Sequence, residues 1–566
     1  MNVYKRRLIV CLIVLSVAAS LKILFMGYDI DEQYAVSMAY RLLKGDRLLT
    51  DLWEPHQTSG WLCMLLMAPY MAVFHTTTGI FLYLRVCGLI LHSIVGVCLY
   101  RTLKGYLERE NALLVCCIYF FTLPKLMFLP EFSNIQVWCL LSAVLCLLRY
   151  YGPSAAQPGT YKLRYLIFAG CFFALEVFSY PSTVFAFAAC VICMVRFRRS
   201  GRSLIRELLC LIVPCLLGAL SFLAVLLTYI PLGELWNYIS IVASDGSHSA
   251  PWGERLLEHG RSLEQILLFL LVYALLAFAL QFLYCRKVKK SFSILLWCEL
   301  LIVCTLAGQI FIWLFGEKYP NYPMVEYFFL PVLLLCAVWK RKVRMSPALG
   351  FFVLMPLAAF AGILLFSNHP LLVSLPFLGP CVTGIFALPQ MHEASAEEKA
   401  GGYKNMSRGV LVLWVCVLLF GRIFMQRTTG GRHDTIFDDV SLLRRGPAVG
   451  LIVDTPCAIR YRDNYELITG LGVEEENVFY MGADTDLYLM ENLGYAIPST
   501  ICSPTFDDKT DIWFRLHPDR QPDYVVCDKD LLGANLWVIS YVQENCQPVP
   551  VAENDYIVVY RTNRDG

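Results

Sequence analysis

Apolar residues in this chain fall into long blocks separated by short charged connections. A helix needs about 20 apolar residues to cross a hydrocarbon core of ~30 Å. Blocks of roughly that kind run over 8–26, 80–100, 111–129, 133–150, 165–180, 182–195, 208–229, 264–284, 291–315, 323–339, 348–366, 371–388 and 409–425. The stretch from Gly60 to Phe74 is equally apolar but only about 15 residues long, which suits an interfacial or re-entrant helix better than a span. The pattern predicts an all-α polytopic membrane bundle of about thirteen transmembrane helices over 1–425.

Near Gln426 the character changes. From there to Gly566 the chain is polar, with acidic groups such as Glu474-Glu475-Glu476 and Asp507-Asp508. Strand-length apolar runs recur at Val449 to Val453, Asn477 to Tyr480, Tyr524 to Cys527 and Tyr556 to Tyr560. Helix-like stretches, Tyr461 to Gly472 and Asp484 to Gly494, lie between them. This alternation predicts a small α/β domain over 426–566. It contains no Gly-rich phosphate loop.

Composition agrees. Hydrophobic residues make up 57% of the chain and charged residues only 16%, against about 25% charged in a soluble globular protein. The net charge of +2 over 566 residues comes with no basic patch of the kind that tracks nucleic acid, so nucleic acid is not expected as a partner. Most of the 23 cysteines sit in apolar blocks, where they act as small hydrophobes, and no pair of C-x-x-C motifs suggests a zinc site. Cys457, Cys502, Cys527 and Cys546 lie in the polar tail, where spacing permits either disulfides or reduced, buried thiols.

Lysine and arginine stay on the cytoplasmic side of a bilayer. With Lys5-Arg6-Arg7 inside and Leu8 to Met26 read as an uncleaved first span rather than a signal peptide, the even connections carry the basic clusters. These include Arg196, Arg198, Arg199 and Arg202, then Arg286, Lys287, Lys289 and Lys290, then Lys340, Arg341, Lys342 and Arg344. The expected topology puts the amino terminus in the cytoplasm and both the first loop, 27–60, and the tail outside the cell membrane. The 60–74 helix lies on the same outer surface.

That first outer loop holds the densest candidate chemistry. Asp29, Asp31 and Glu32 fall within four residues directly after the first span, and ionisable groups at a membrane boundary are costly and often functional. Residues 31 to 44 read as an amphipathic helix with Tyr34, Met38 and Leu42 beside Ala35 and Ala39 on one face, stopped by Gly45. The acids would open this helix, where its dipole favours anions. Asp51 and then Trp53-Glu54-Pro55-His56-Gln57 follow.

These elements resemble a family: membrane glycosyltransferases of the GT-C fold, especially protein O-mannosyltransferases and bacterial aminoarabinose lipid A transferases. The resemblance rests on Asp31-Glu32-Gln33-Tyr34, Leu42-Leu43-Lys44-Gly45, Asp51, Pro55-His56 and the 60–74 helix. Glu-Pro-His-Gln stands where many relatives have His-Pro-Pro. Thirteen spans with an outer carboxyl-terminal domain are similar to the aminoarabinose branch. The resemblance implies transfer of a sugar from a polyprenyl-phosphate donor to a cell-envelope acceptor at the outer leaflet, with inversion at the anomeric carbon. Attack by a hydroxyl needs a nearby base, and the phosphate leaving group needs positive charge, a metal or hydrogen-bond donors. Asp31 is the candidate base and Glu32 its support, with Asp29, Tyr34, Asp51 and His56 as candidate substrate-binding residues. Glu131, beside Asn134, stands where the family has a second acidic site; a plain helix-capping pair accounts for it equally well. Lys318 and Tyr319, in Gly316-Glu317-Lys318-Tyr319-Pro320, are similar to the family's carrier-phosphate element. No cofactor is required by the residues; a divalent metal has Glu32, His56 and His248 as weak candidate ligands.

Three other readings compete. A flippase or transporter of lipid-linked sugars would want polar residues in mid-span, where Glu176 and Glu299 are the few candidates. A polysaccharide polymerase or ligase shares both carrier and location. A membrane scaffold would use the outer domain to bind a partner.

Overall fold

The structure, a computed structural model, describes residues 3–563 except 55, 125–126, 153–161, 199–202, 244–250, 290, 316–345, 367–370, 392–402, 428–432, 436, 501–506 and 535. It is a helical bundle followed by a mixed α/β domain. In chain order the bundle contains α1 (Val3–Phe25), α2 (Ile30–Leu43), α3 (Gly60–Phe74), α4 (Ile80–Leu103), α5 (Arg109–Phe121), α6 (Phe132–Tyr151), α7 (Arg164–Ser179), α8 (Val184–Arg196), α9 (Leu204–Leu226), α10 (Leu232–Ala243), α11 (Trp252–Val288), α12 (Ile294–Phe315), α13 (Pro347–Phe366), α14 (Gly379–Met391) and α15 (Tyr403–Phe424).

Among the described residues α4, α6, α9, α11 and α13 are long and apolar enough to cross a membrane, and shorter apolar helices accompany them at α1, α8, α12, α14 and α15. Every predicted block falls on helix except 323–339, which lies outside the described residues. Two blocks differ in extent. Helix α5 stops at Phe121 rather than 129, because Pro124 cannot continue it. Helix α11 starts at Trp252 rather than 264; its 37 residues span ~55 Å at 1.5 Å each, well beyond one hydrocarbon core.

Helix α6 is the buried axis of the bundle and packs along α7. The non-helical segment after α5 is pressed against α4 at Gly88. A Cβ there would lie 1.4 Å from the Phe128 carbonyl oxygen, so only glycine lets the two backbones meet. The 60–74 element is helix α3, with the bounds read from the sequence.

The tail begins with two short hairpins, β1 (Met425–Arg427) with β2 (His433–Thr435) and β3 (Val440–Leu442) with β4 (Ile452–Asp454). Helix α16 (Thr455–Leu471) follows, its amino end capped by Asp454, whose carboxylate accepts the Cys457 N–H at 2.9 Å. A five-stranded sheet then forms from β5 (Asn477–Met481), β6 (Gly494–Tyr495), β7 (Tyr524–Asp528), β8 (Ala552–Glu553) and β9 (Ile557–Arg561), in the order β6-β5-β7-β9-β8. Strand β5 runs parallel to β6 and β7, while β9 is antiparallel to β7 and β8. Cys527 and Cys546 are buried and Cys457 is half-buried; Cys502 lies outside the described residues.

The loop after α1 and the tail domain share one core. Tyr28, Val36, Tyr40 and Trp53 pack in a single buried cluster with Phe479, Tyr488 and Val525. Helix α2 was expected to bury one face, yet nearly everything from Glu32 to Leu42 is buried. One side, with Tyr34, Met38 and Leu42, packs on Leu226 and Ile230 at the end of α9. The tail domain covers the other, where the Ser37 hydroxyl donates to the Thr485 carbonyl at 2.7 Å and Arg41 donates to the Ile497 carbonyl at 2.8 Å.

Candidate active site

The carboxylates that follow α1 have distinct surroundings. Asp29 is buried and is the N-cap of α2, accepting the Asp31 N–H at 3.0 Å. Glu32, also in the first turn, is fully enclosed. Both of its oxygens lie in the fork of Arg85 from α4, at 2.6 Å from Nε and 2.5 Å from Nη2. Arg85 also donates to the carbonyls of Leu24 at 3.0 Å and Gly27 at 2.7 Å, closing the carboxyl end of α1. One guanidinium therefore fixes α1, α2 and α4 relative to one another. Asp31, on the first turn of α2, is the half-buried member of the three.

Arg85 was not singled out from the sequence. The signal was present: an arginine inside an otherwise apolar block, which demands a buried partner.

A fourth acid joins this centre through the segment after α5. Arg85 contacts the Met127 sulfur at 3.5 Å. Asn134 donates to the carbonyls of Met127 and Leu129, both at 2.8 Å. Glu131 caps α6, accepting the N–H groups of Ser133 at 2.9 Å and Asn134 at 2.8 Å. Cys63 on α3 feels the charges of both Glu131 and Glu32; burial first, then Cys87 and these two acids, pushes its thiol upward. Beside Glu131, Phe132 stacks on the His56 ring with centroids 4.1 Å apart, and Tyr180 flanks the same imidazole at 4.9 Å. The fold thus brings Asp29, Asp31, Glu32, His56 and Glu131 from three separate stretches of chain to the ends of α1, α4 and α6.

Asp51 and Tyr34 are directed elsewhere. Tyr34 packs against the end of α9. Asp51 turns to the tail domain, where His517 Nε2 lies 3.0 Å from one oxygen and the Arg47 N–H donates to the other at 2.7 Å. Burial pushes the Asp51 carboxyl up, but these hydrogen bonds and Arg520 outweigh it and hold it below its ordinary value. Neighbouring Glu54 is also claimed by the tail, accepting from the Ser499 hydroxyl at 2.8 Å and the Thr500 hydroxyl at 2.6 Å. Lys318, Tyr319 and His248 lie outside the described residues. Among the described residues no three His, Cys, Asp or Glu side chains cluster closely enough to hold a metal ion.

Two solved structures match this fold over nearly the whole chain. Both are of ArnT from Cupriavidus metallidurans, one in the apo state and one bound to undecaprenyl phosphate. Each aligns over 97% of both chains at 11% sequence identity, with TM-scores of 0.50 and 0.52 respectively. The chain has the GT-C fold. The coverage extends that fold through the carboxyl-terminal domain as well as the bundle. No family model and no curated protein sequence matches the chain.

Proposed function

We propose that this GT-C protein is an integral membrane glycosyltransferase that moves a sugar from a polyprenyl-phosphate carrier to a hydroxyl of a cell-envelope acceptor on the outer membrane face. The observation that carries the reading is the placement, within a full-length GT-C fold, of a half-buried Asp31 beside the rigid Glu32–Arg85 pair at the end of α1. Asp31 accepts the proton of the acceptor hydroxyl as its oxygen attacks the anomeric carbon. The bond from that carbon to the carrier phosphate breaks with its electron pair going to phosphate, and the sugar is transferred with inversion. Glu32, locked by two hydrogen bonds from Arg85, holds the first turn of α2 and so the position of Asp31. His56, Glu131 and Asp29 line the same region, and Lys318 with Tyr319 serves the leaving phosphate. The undecaprenyl phosphate bound to the ArnT structure supports a carrier of that class.

The test is sugar transfer in membranes carrying wild type or Asp31→Asn, with labelled polyprenyl-phosphate sugars and a native envelope acceptor. Loss of transfer at equal expression supports the reading. Wild-type transfer by the variant removes Asp31 as the base.

A further inference from the structure

The tail domain contains a cavity of about 580 Å³ that the proposed transfer does not use. It lies between the β3 hairpin and α16, with Arg444 and Arg445 on one wall and Arg462, Tyr465 and Glu466 on the other. The three helix residues follow an i, i+3, i+4 spacing, so they face the hairpin together. Three guanidinium groups face one carboxylate in the lining. Glu466 stands 3.8 Å from Arg445, and both are largely exposed. Arg462 pairs with its neighbour Asp463, and Arg444 has no ion pair among the described residues. A surplus of positive charge remains.

The position of the cavity bears on its ligand. The hairpin that forms its wall is docked on the ends of two membrane helices. The Gly79 N–H donates to the Gly446 carbonyl at 3.1 Å, and the Phe81 N–H to Pro447 at 3.4 Å, at the start of α4. The Gly27 N–H donates to the Ile452 carbonyl at 2.8 Å, just past α1. The headgroup zone extends only some 5–8 Å beyond the hydrocarbon on each side, and a hairpin held at helix ends lies close to that zone. Exposed apolar side chains belong to the same segment: Leu442 is 52% exposed and Phe437, edge-on to Phe424 of the last bundle helix, 81%. Basic groups over a cavity, with exposed apolar side chains at the same level, match an anionic lipid: phosphate to arginine, acyl chain to leucine and phenylalanine.

We infer that the cavity between the β3 hairpin and α16 binds the phosphate of an anionic glycerophospholipid and seats the tail domain on the bilayer surface. The inference is independent of the transfer chemistry, since it uses none of the residues proposed for it.

The test uses the full-length protein in neutral detergent, with phosphatidylglycerol added and bound lipid counted by native mass spectrometry. A basic residue near an anionic surface contributes about fivefold to lipid binding. The triple variant Arg444→Gln, Arg445→Gln, Arg462→Gln is therefore expected to weaken the tightest phosphatidylglycerol adduct about a hundredfold. A variant with the same charge loss at Arg286, Lys287 and Lys289, on the far end of α11, is expected to keep it. Arg462→Lys, which keeps the charge and loses the fork, falls between wild type and the triple variant. Equal adducts in wild type and the triple variant overturn the proposal. So does competition by soluble glycerol phosphate at the same concentration as the lipid, because the site would then read a free phosphate and not a membrane.

Discussion

Replacing Arg85 with methionine isolates the pair on which the proposed site is built. The substitution keeps a long unbranched side chain but removes the charge and five donors. It leaves the Glu32 carboxylate enclosed without its counter-charge, since both side chains are fully buried. It also strips the donors from the Leu24 and Gly27 carbonyls at the end of α1. Removing one partner of a buried ion pair costs about 3–5 kcal/mol, and a buried carbonyl left unsatisfied adds about 1–3 kcal/mol, so Arg85→Met is expected at or above the top of the first range. Glu32→Gln should cost less, because the amide oxygen still accepts from the guanidinium. The double variant Glu32→Leu, Arg85→Met removes both charges and should recover much of the loss, as apolar replacement of buried pairs often does. The assay is unfolding of the purified protein in mixed micelles titrated with sodium dodecyl sulfate, followed by tryptophan fluorescence. A coupling energy above about 2 kcal/mol across the cycle is expected. A loss under about 1 kcal/mol for Arg85→Met, or a double variant as unstable as the sum of the singles, would refute the argument that this pair holds α1, α2 and α4 together.

Three further outcomes are expected. Burial, then the nearby charge of Asp484, pushes Asp486 up to about 7 even though the Tyr28 hydroxyl donates to it at 2.7 Å. Its contribution to stability is fully present below its unfolded value of about 4 and is lost as pH rises through about 7, by roughly 4 kcal/mol at one pH unit per 1.4 kcal/mol. Asp486→Asn should flatten that slope in thermal unfolding measured from pH 4 to 8; an unchanged slope counts against it. Gly88→Ala drives a Cβ into the Phe128 carbonyl, which as backbone cannot move aside; at least the ~1–3 kcal/mol of an overpacked core should be lost, and wild-type stability in the same micelle titration would contradict the close approach. Glu54→Ala removes the acceptor for Ser499 and Thr500, hydrogen bonds to a charged group worth about 1.5–3 kcal/mol each, and should speed protease cleavage near 426–440 while leaving the bundle intact. A cleavage pattern identical to wild type would show that the tail is held by other contacts.

The hydrophobic pattern alone determined the bundle, because a hydrocarbon core tolerates only helices of a set length and composition and so writes itself into runs of apolar residues. It likewise determined α3 and the strands at 477, 524 and 557, since strand-length apolar runs between polar turns have few other uses. Proline set one boundary that length missed: α5 stops at Phe121. The cluster of acids after α1 was legible because three carboxylates at a membrane edge are conspicuous. Their separate environments were not. Which acid caps a helix, which is gripped by an arginine and which keeps partial access depends on Arg85, more than 50 residues away in sequence. Asp51 and Glu54 face the tail domain through His517, Ser499 and Thr500, partners over 400 residues distant. Periodicity reports which side of an element is apolar; it carries no information about which polar groups, far apart in the chain, are brought within hydrogen-bonding distance. That is decided only when α2 is closed between the bundle and the tail, where every buried charge must find a partner or pay several kcal/mol for lacking one.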